Sequence, residues 1–157
     1  MSTVRKMTSS SAKETKELGR RLAKQILKKP SQTGAAVLAL TGCLGSGKTS
    51  FLQGFSQGLK VKQPITSPTF VIVKKYQLSN IAPQRETNNY RQFYHIDCYR
   101  INTPEEILKL SFQEIINSPK NIVAVEWAEK IKGILPKNTL WLRFVFQDKN
   151  KREIRMA

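Results

Sequence analysis

Gly42-Cys43-Leu44-Gly45-Ser46-Gly47-Lys48-Thr49 fit the pattern G-x-x-x-x-G-K-[ST], and their flanks suit it. Residues 35–41, Ala-Ala-Val-Leu-Ala-Leu-Thr, form a short apolar run of buried-strand type, and residues 50–59 place Phe51, Phe55 and Leu59 at helical spacing. A strand, a glycine loop and a helix in that order commit the chain to an α/β fold. Glycines at 42, 45 and 47 permit positive φ and let main-chain N–H groups close on an anion, toward which the next helix points its partially positive end. Gly42, Cys43, Leu44, Gly45, Ser46, Gly47, Lys48, Thr49 and Ser50 are thus the expected cradle for a nucleoside triphosphate. Lys48 supplies a point charge for the β- and γ-phosphates, and the Thr49 hydroxyl is suited to ligate Mg²⁺.

The rest of the chain reads as one domain around that loop. With 157 residues it can bury a single core, and no apolar stretch approaches the 18 or so residues that a membrane span needs. Residues 1–10 are basic and Ser/Thr-rich and read as a flexible tail, residues 11–147 as the domain, and residues 148–157 as a basic C-terminal tail. Two cysteines, Cys43 and Cys98, and one histidine, His95, make neither a disulfide framework nor a zinc site, so reduced thiols and a cytoplasmic setting are the expectation. Charge is lopsided, with 27 Lys and Arg against 11 Asp and Glu for a net +16; nine of the basic groups lie within residues 1–33 and eight within 130–157. Such a surface raises encounter rates with polyanions such as RNA or with an acidic protein, and it is equally what a solvated exterior looks like.

Ser11-Ala-Lys-Glu14 reads as a capping box ahead of Leu18, Leu22, Ile26 and Leu27, a helix stopped by Pro30. Residues 70–78 and 93–101 read as a long-looped antiparallel pair, separated by a polar insertion over 79–92. Alternation puts Phe93, His95, Asp97 and Tyr99 on one face of the second strand. Thr103-Pro-Glu-Glu106 starts another helix, with Ile107, Leu108, Phe112, Ile115 and Ile116 as its apolar face. Residues 121–126 form a continuous apolar strand of the kind buried on both faces of a parallel sheet, 127–134 a short helix, and 139–146 a last strand. The resulting class is a P-loop NTPase-like α/β fold, with a mostly parallel central sheet flanked by helices and an antiparallel strand insertion.

A triphosphate site needs an acid at a strand end to hold Mg²⁺ or its waters, and two stand out, Asp97 and Glu126. The four apolar residues before Glu126 give it the look of a Walker B acid, and pattern alone leans that way. Thr66-Ser-Pro-Thr69 could serve as a switch whose hydroxyls touch Mg²⁺ or the γ-phosphate, or could be a plain connecting loop. Trp127 beside Glu126 suits the core, or could stack on a base or a partner; His95 reads as a structural histidine.

Taken together, residues 42–51, Thr66-Ser-Pro-Thr-Phe70, His95-Ile-Asp-Cys-Tyr-Arg100 and Val125-Glu-Trp-Ala-Glu129, in this order and spacing, resemble the TsaE family. These are small P-loop ATPases of bacterial tRNA N6-threonylcarbamoyladenosine (t6A) biosynthesis, and the likeness spans roughly residues 10–147. The resemblance implies ATP and Mg²⁺ as ligands, Lys48 and Thr49 as phosphate and metal residues, and Asp97 as the Walker-B-like acid in place of Glu126. It further implies Glu126 and Trp127 as a pair acting in hydrolysis and Thr66 as the switch threonine. Catalytic roles then fall to Glu126, Asp97, Lys48 and Trp127, and metal binding to Thr49, Asp97, Thr66 and Glu126. The implied partners are two sugar-kinase-like subunits that carry out carbamoyl transfer, with tRNA in the assembly. Ala128 departs from the family, in which a proline commonly follows Glu-Trp, and neither the 79–92 insertion nor the charge is explained by the motifs.

Two other readings use the same loop. A small-molecule kinase would transfer the γ-phosphate and needs arginines over it, for which only Arg85 and Arg91 in the insertion offer themselves. A tRNA-binding module with a regulatory ATP site would use the charge instead. A guanine-specific switch is disfavoured, because neither Asn-Lys-x-Asp nor Asp-x-x-Gly occurs.

Overall fold

The computed structural model describes residues 4–66, 72–78 and 89–157. Its elements are β1 (Arg5–Ser9), α1 (Ala12–Leu27), β2 (Ala36–Thr41), α2 (Lys48–Gly58), β3 (Val73–Gln77), β4 (Gln92–Asp97), α3 (Pro104–Leu108), α4 (Phe112–Asn117), β5 (Asn121–Glu126), a 3₁₀ helix (Ala128–Ile134), β6 (Leu140–Phe146) and β7 (Arg152–Met156). One seven-stranded sheet runs in the order β1-β7-β6-β2-β5-β4-β3. Its centre, β6-β2-β5-β4, is parallel, while β3 on one edge and β7 with β1 on the other are antiparallel.

The parallel centre follows from composition. Every residue of β5 is buried, and β2 sends Leu38 and Leu40 to one face and Val37 and Ala39 to the other. Strands covered on both sides have no solvent face to mark with polar residues. On the first face, Leu22 and Ala23 of α1 and Phe51, Leu52 and Phe55 of α2 close the core; on the second, Ile107, Phe112, Ile115, Ile116 and Ile131 do so. Ser11 caps α1, its Oγ accepting the Glu14 N–H at 3.1 Å, while the Glu14 carboxylate reaches back one residue further than the box expects and accepts from Ser10 N–H at 2.6 Å.

Three expectations are corrected. The two tails are not tails over residues 5–9 and 152–156: these segments pair with each other, and β7 also pairs with β6. Their charged residues hide the strands from sequence reading, but ladder hydrogen bonds hold them, and Ile154 is fully buried in the core with Met7 and Met156 packed against it. The strand expected over 93–101 ends at Asp97, whose Oδ1 accepts the Tyr99 N–H at 2.9 Å and turns the chain. The helix beginning at Thr103 is two short helices, broken at Ser111, which has a left-handed φ of 59°.

Of the strand expected over 70–78, residues 72–78 are described and β3 occupies Val73–Gln77; most of the insertion, residues 79–88, lies outside the described residues.

Candidate nucleotide site

The loop joining β2 to α2 lies at the carboxyl ends of the parallel strands, where open α/β sheets bind ligands. Gly42, Gly45 and Gly47 have φ of 141°, 75° and 101°, so the backbone uses the freedom expected of them. Two are also fixed by close approach. A Cβ on Gly42 would sit 2.6 Å from the Phe144 carbonyl oxygen, and one on Gly47 would sit 2.7 Å from Arg152 Cδ. Gly47 is the left-handed cap from which α2 starts, which sets Lys48 in the first turn.

Lys48 is buried at 5 % exposure. Its ammonium donates to the carbonyls of Gly42 at 2.6 Å and Cys43 at 2.9 Å and to Ser46 Oγ at 3.3 Å, and it lies 4.6 Å from the centre of the Trp127 ring. Burial draws its pKa below the ordinary lysine value, against the pull of the Glu126 carboxylate in the other direction. The side chain is thus tethered to the loop that it serves, and its charge sits where a phosphate cradled by that loop would meet it.

Both candidate acids are beside the loop. β4 and β5 pair in register with Asp97 opposite Glu126, at the ends of adjacent strands, so sequence positions 29 apart become neighbours. Glu126 is 3 % exposed and its Oε2 is 2.8 Å from His95 Nε2, itself fully buried. Since a carboxylate only accepts, the Nε2–H of His95 donates to it. Asp97 is partly exposed and engages the Tyr99 N–H.

Trp127 follows Glu126 in a left-handed conformation, φ 55° and ψ 39°, a costly setting for a bulky residue that carries about 1–3 kcal/mol of strain. Its ring packs at the edge of the second core cluster, 5.1 Å from the Tyr99 ring centre. The ring therefore belongs both to the core and to the cleft. Ala128, the next residue, is fully buried.

These groups line one cleft of about 270 Å³, with residues 44–50 as its floor and Asp97, Tyr99, Glu126, Trp127 and Arg152 around it. Gly42 and Cys43 lie at the start of the loop; among the described residues that line the cleft, these two are not included. Nor is Thr66, which is exposed and accepts from Lys74 Nζ at 2.9 Å; Ser67 to Phe70 of the switch motif lie outside the described residues. A larger cavity, about 700 Å³, opens at the other end of β2 among Arg5, Ile26, Lys29 and Tyr90, away from all of this chemistry.

Sequence reasoning missed three members. In the sequence Tyr99 reads as a strand residue, Arg152 as part of a tail, and His95 as a structural histidine unconnected with Glu126. Arg152 Nε is buried and has no hydrogen-bond partner among the described residues, an arrangement that costs about 1–3 kcal/mol unless something pairs it.

The donor set fits Mg²⁺. Among the described residues no cluster of three His, Cys, Asp or Glu is assembled, and the cleft offers one threonine hydroxyl and two carboxylates, all oxygen. That is too few for an all-protein cage and suits an ion that takes most of its ligands from phosphate and water.

Parallel sheet, glycine loop before a helix and two strand-end acids define a P-loop NTPase-like fold. The particular family is shown by comparison: the family model described as threonylcarbamoyl adenosine biosynthesis protein TsaE matches residues 9–154, and the chain belongs to the TsaE family. A protein of Rickettsia conorii named tRNA threonylcarbamoyladenosine biosynthesis protein TsaE is 34 % identical over 92 % of this chain and 73 % of its own length. Its namesake in Rickettsia typhi is also 34 % identical, over 92 % of this chain and 89 % of its own, and that of Haemophilus influenzae is 30 % identical over 83 % and 75 %. The crystal structure of Bacillus subtilis YdiB superposes with a TM-score of 0.66 at 28 % identity, covering 99 % of this chain and 86 % of that one.

Proposed function

We propose that this chain binds and hydrolyses ATP as an accessory subunit in formation of t6A at position 37 of tRNA. Its hydrolysis cycle acts on the carbamoyl-transferase complex and does not make the modification itself. The observation that supports this reading is the convergence of Lys48, Thr49, Asp97, Glu126 and Trp127 on one cleft, in a chain of the TsaE family.

Residues 42–50 hold the phosphates through main-chain N–H groups, with Lys48 on the β- and γ-phosphates. Thr49 and Asp97, together with Thr66, would hold Mg²⁺. When bound, Mg²⁺ neutralises charge that develops on the phosphate oxygens. Glu126, fixed by His95, orients and deprotonates the attacking water, and Trp127 shields that carboxylate from bulk solvent. The partners are the two sugar-kinase-like subunits, with tRNA in the assembly, where the +16 charge favours encounter. No helix among the described residues is long and apolar enough to cross a membrane.

Purified protein should hydrolyse ATP slowly with Mg²⁺ and faster when the two partner subunits are added, and a pull-down with nucleotide-loaded protein should retain both. Absence of nucleotide binding, with Lys48→Ala indistinguishable from wild type, would overturn the reading. Transfer of phosphate to a metabolite instead of its release would point to a kinase.

A further inference from the structure

Lys48 and Arg152 are the two basic side chains lining the cleft, and only Lys48 belongs to a nucleotide motif. Arg152 is the first residue of β7, paired with Phe146 at the carboxyl end of β6 and with Ser9 at the carboxyl end of β1. Two strand ends and a strand start thus place it at the ligand-binding edge of the sheet, more than a hundred residues from the loop in sequence.

Three observations give it a direction. Its Cδ and Nε lie against Gly47, at 2.7 and 2.8 Å from where a Cβ would stand, so the absence of a side chain at Gly47 is what lets the arginine rest on the loop. Its Nε is buried with no acceptor among the described residues, and its Nη1 donates to the Asn150 carbonyl at 3.4 Å. Among those residues it also forms no ion pair, although the cleft holds two carboxylates. A guanidinium brought this close to a phosphate loop, and paired with no acid, lacks an anion that the loop itself is built to bind.

The strand order says which anion. β2 lies between β6 and β5, so the loop separates Arg152, on the β6–β7 side, from Asp97 and Glu126, on the β5–β4 side. The acids and Lys48 serve the terminal phosphates. Arg152 therefore faces the opposite, nucleoside end of the phosphate chain.

We infer that Arg152 is a phosphate-binding residue, its guanidinium pairing with the α-phosphate of a nucleoside di- or triphosphate held by residues 42–49. This rests on the nucleotide-binding reading above. It assigns the C-terminal strand a part in ligand binding and accounts for a glycine at 47 by space as well as by φ.

The test measures ADP affinity by calorimetry, and ADP-induced thermal shift, for the full chain, Arg152→Gln, Arg152→Lys and Lys48→Ala. A charge-assisted pair of this kind is expected to weaken ADP binding about ten- to a hundredfold in Arg152→Gln. Arg152→Lys, keeping the charge and losing the fork, should recover part of that, and the ligand-free melting temperature should stay near wild type. A purely structural arginine would do the reverse, lowering the ligand-free melting temperature while ADP affinity holds. Should Arg152→Gln fail to fold, the same loss, smaller, is read in Arg152→Lys. Wild-type affinity in both variants, while Lys48→Ala loses ADP, overturns the role of Arg152 and leaves the nucleotide reading standing. Failure of the wild type to bind ADP overturns both.

Discussion

His95 Nε2 and Glu126 Oε2 meet at 2.8 Å inside the sheet, with His95 fully buried and Glu126 nearly so. The contact spans β4 and β5 on the diagonal, since His95 registers with Ala124 and Glu126 lies two positions further on the same face. It fixes one carboxylate oxygen and leaves the other for the cleft. The His95 Nδ1 has no hydrogen-bond partner among the described residues, so the imidazole is committed to Glu126 alone.

His95→Leu should therefore strand a buried carboxylate, costing about 1–3 kcal/mol of stability. It should also slow ATP hydrolysis about tenfold or more, the scale on which a group that orients a functional ligand acts. ADP affinity should stay at the wild-type level, because the phosphates are held elsewhere. His95→Gln, which still offers an N–H, should recover much of the rate. Equal rates for wild type and His95→Leu would show that Glu126 needs no such support.

An ammonium pairs with phosphate only while protonated, and burial lowers the Lys48 pKa from 10.5. ADP affinity should accordingly begin to fall at a lower pH than an ordinary lysine would dictate, by up to about tenfold per pH unit beyond that point. Stability of the ligand-free protein runs the other way. Between the folded and unfolded pKa values the unfolded chain holds the extra proton, so stability gains as pH rises through that interval. Lys48→Arg, charged throughout, should lose the pH dependence of binding whatever its affinity; an unchanged profile would exonerate Lys48.

Much of this site was legible because it is local. A contiguous loop carries its own strand and helix, and the apolar runs within β2 and β5 declare a sheet covered on both faces. What depended on pairing was not legible. β1 and β7 are edge-region strands whose charged residues resemble a tail, and the ladder that makes them strands is a long-range property. Arg152 was lost with β7 for that reason. The His95–Glu126 contact needed the register of β4 against β5, since His95 reads in the sequence only as a structural histidine. Pattern alone favours Glu126, because Asp97 falls inside the strand expected over 93–101; in the structure β4 ends at Asp97, and the sheet sets the two acids side by side.

The two thiols should differ sharply. Cys43 is exposed in the loop, whereas Cys98 is buried and its pKa is pushed up to about 12, mainly by burial and then by Asp97. At pH 8 only about one Cys98 in ten thousand is thiolate. Maleimide should label Cys43 alone in the folded protein, as read by peptide mass spectrometry, and ADP should slow that labelling by covering the loop. Labelling of Cys98 at a comparable rate, without unfolding, would contradict its burial.

α1 and α2 touch through glycines: a Cβ on Gly54 would sit 1.8 Å from the Lys16 carbonyl oxygen, and one on Gly19 2.1 Å from that of Phe51. Both obstacles are backbone, so neither can swing aside, and a methyl at either position must push the helices apart. Gly54→Ala should cost about 3 kcal/mol or more, lowering the melting temperature by roughly 6–12 °C for a chain of this size. Gly133→Ala, where nothing stands within 4 Å, is the control and should stay within about 1 kcal/mol of wild type. Because α2 begins at Lys48, its displacement also turns the first helical residues that face the cleft. Gly54→Ala should thus weaken ADP binding even below its melting temperature, from a site on the far side of the helix, whereas a purely global destabilisation would leave the affinity of the folded fraction intact.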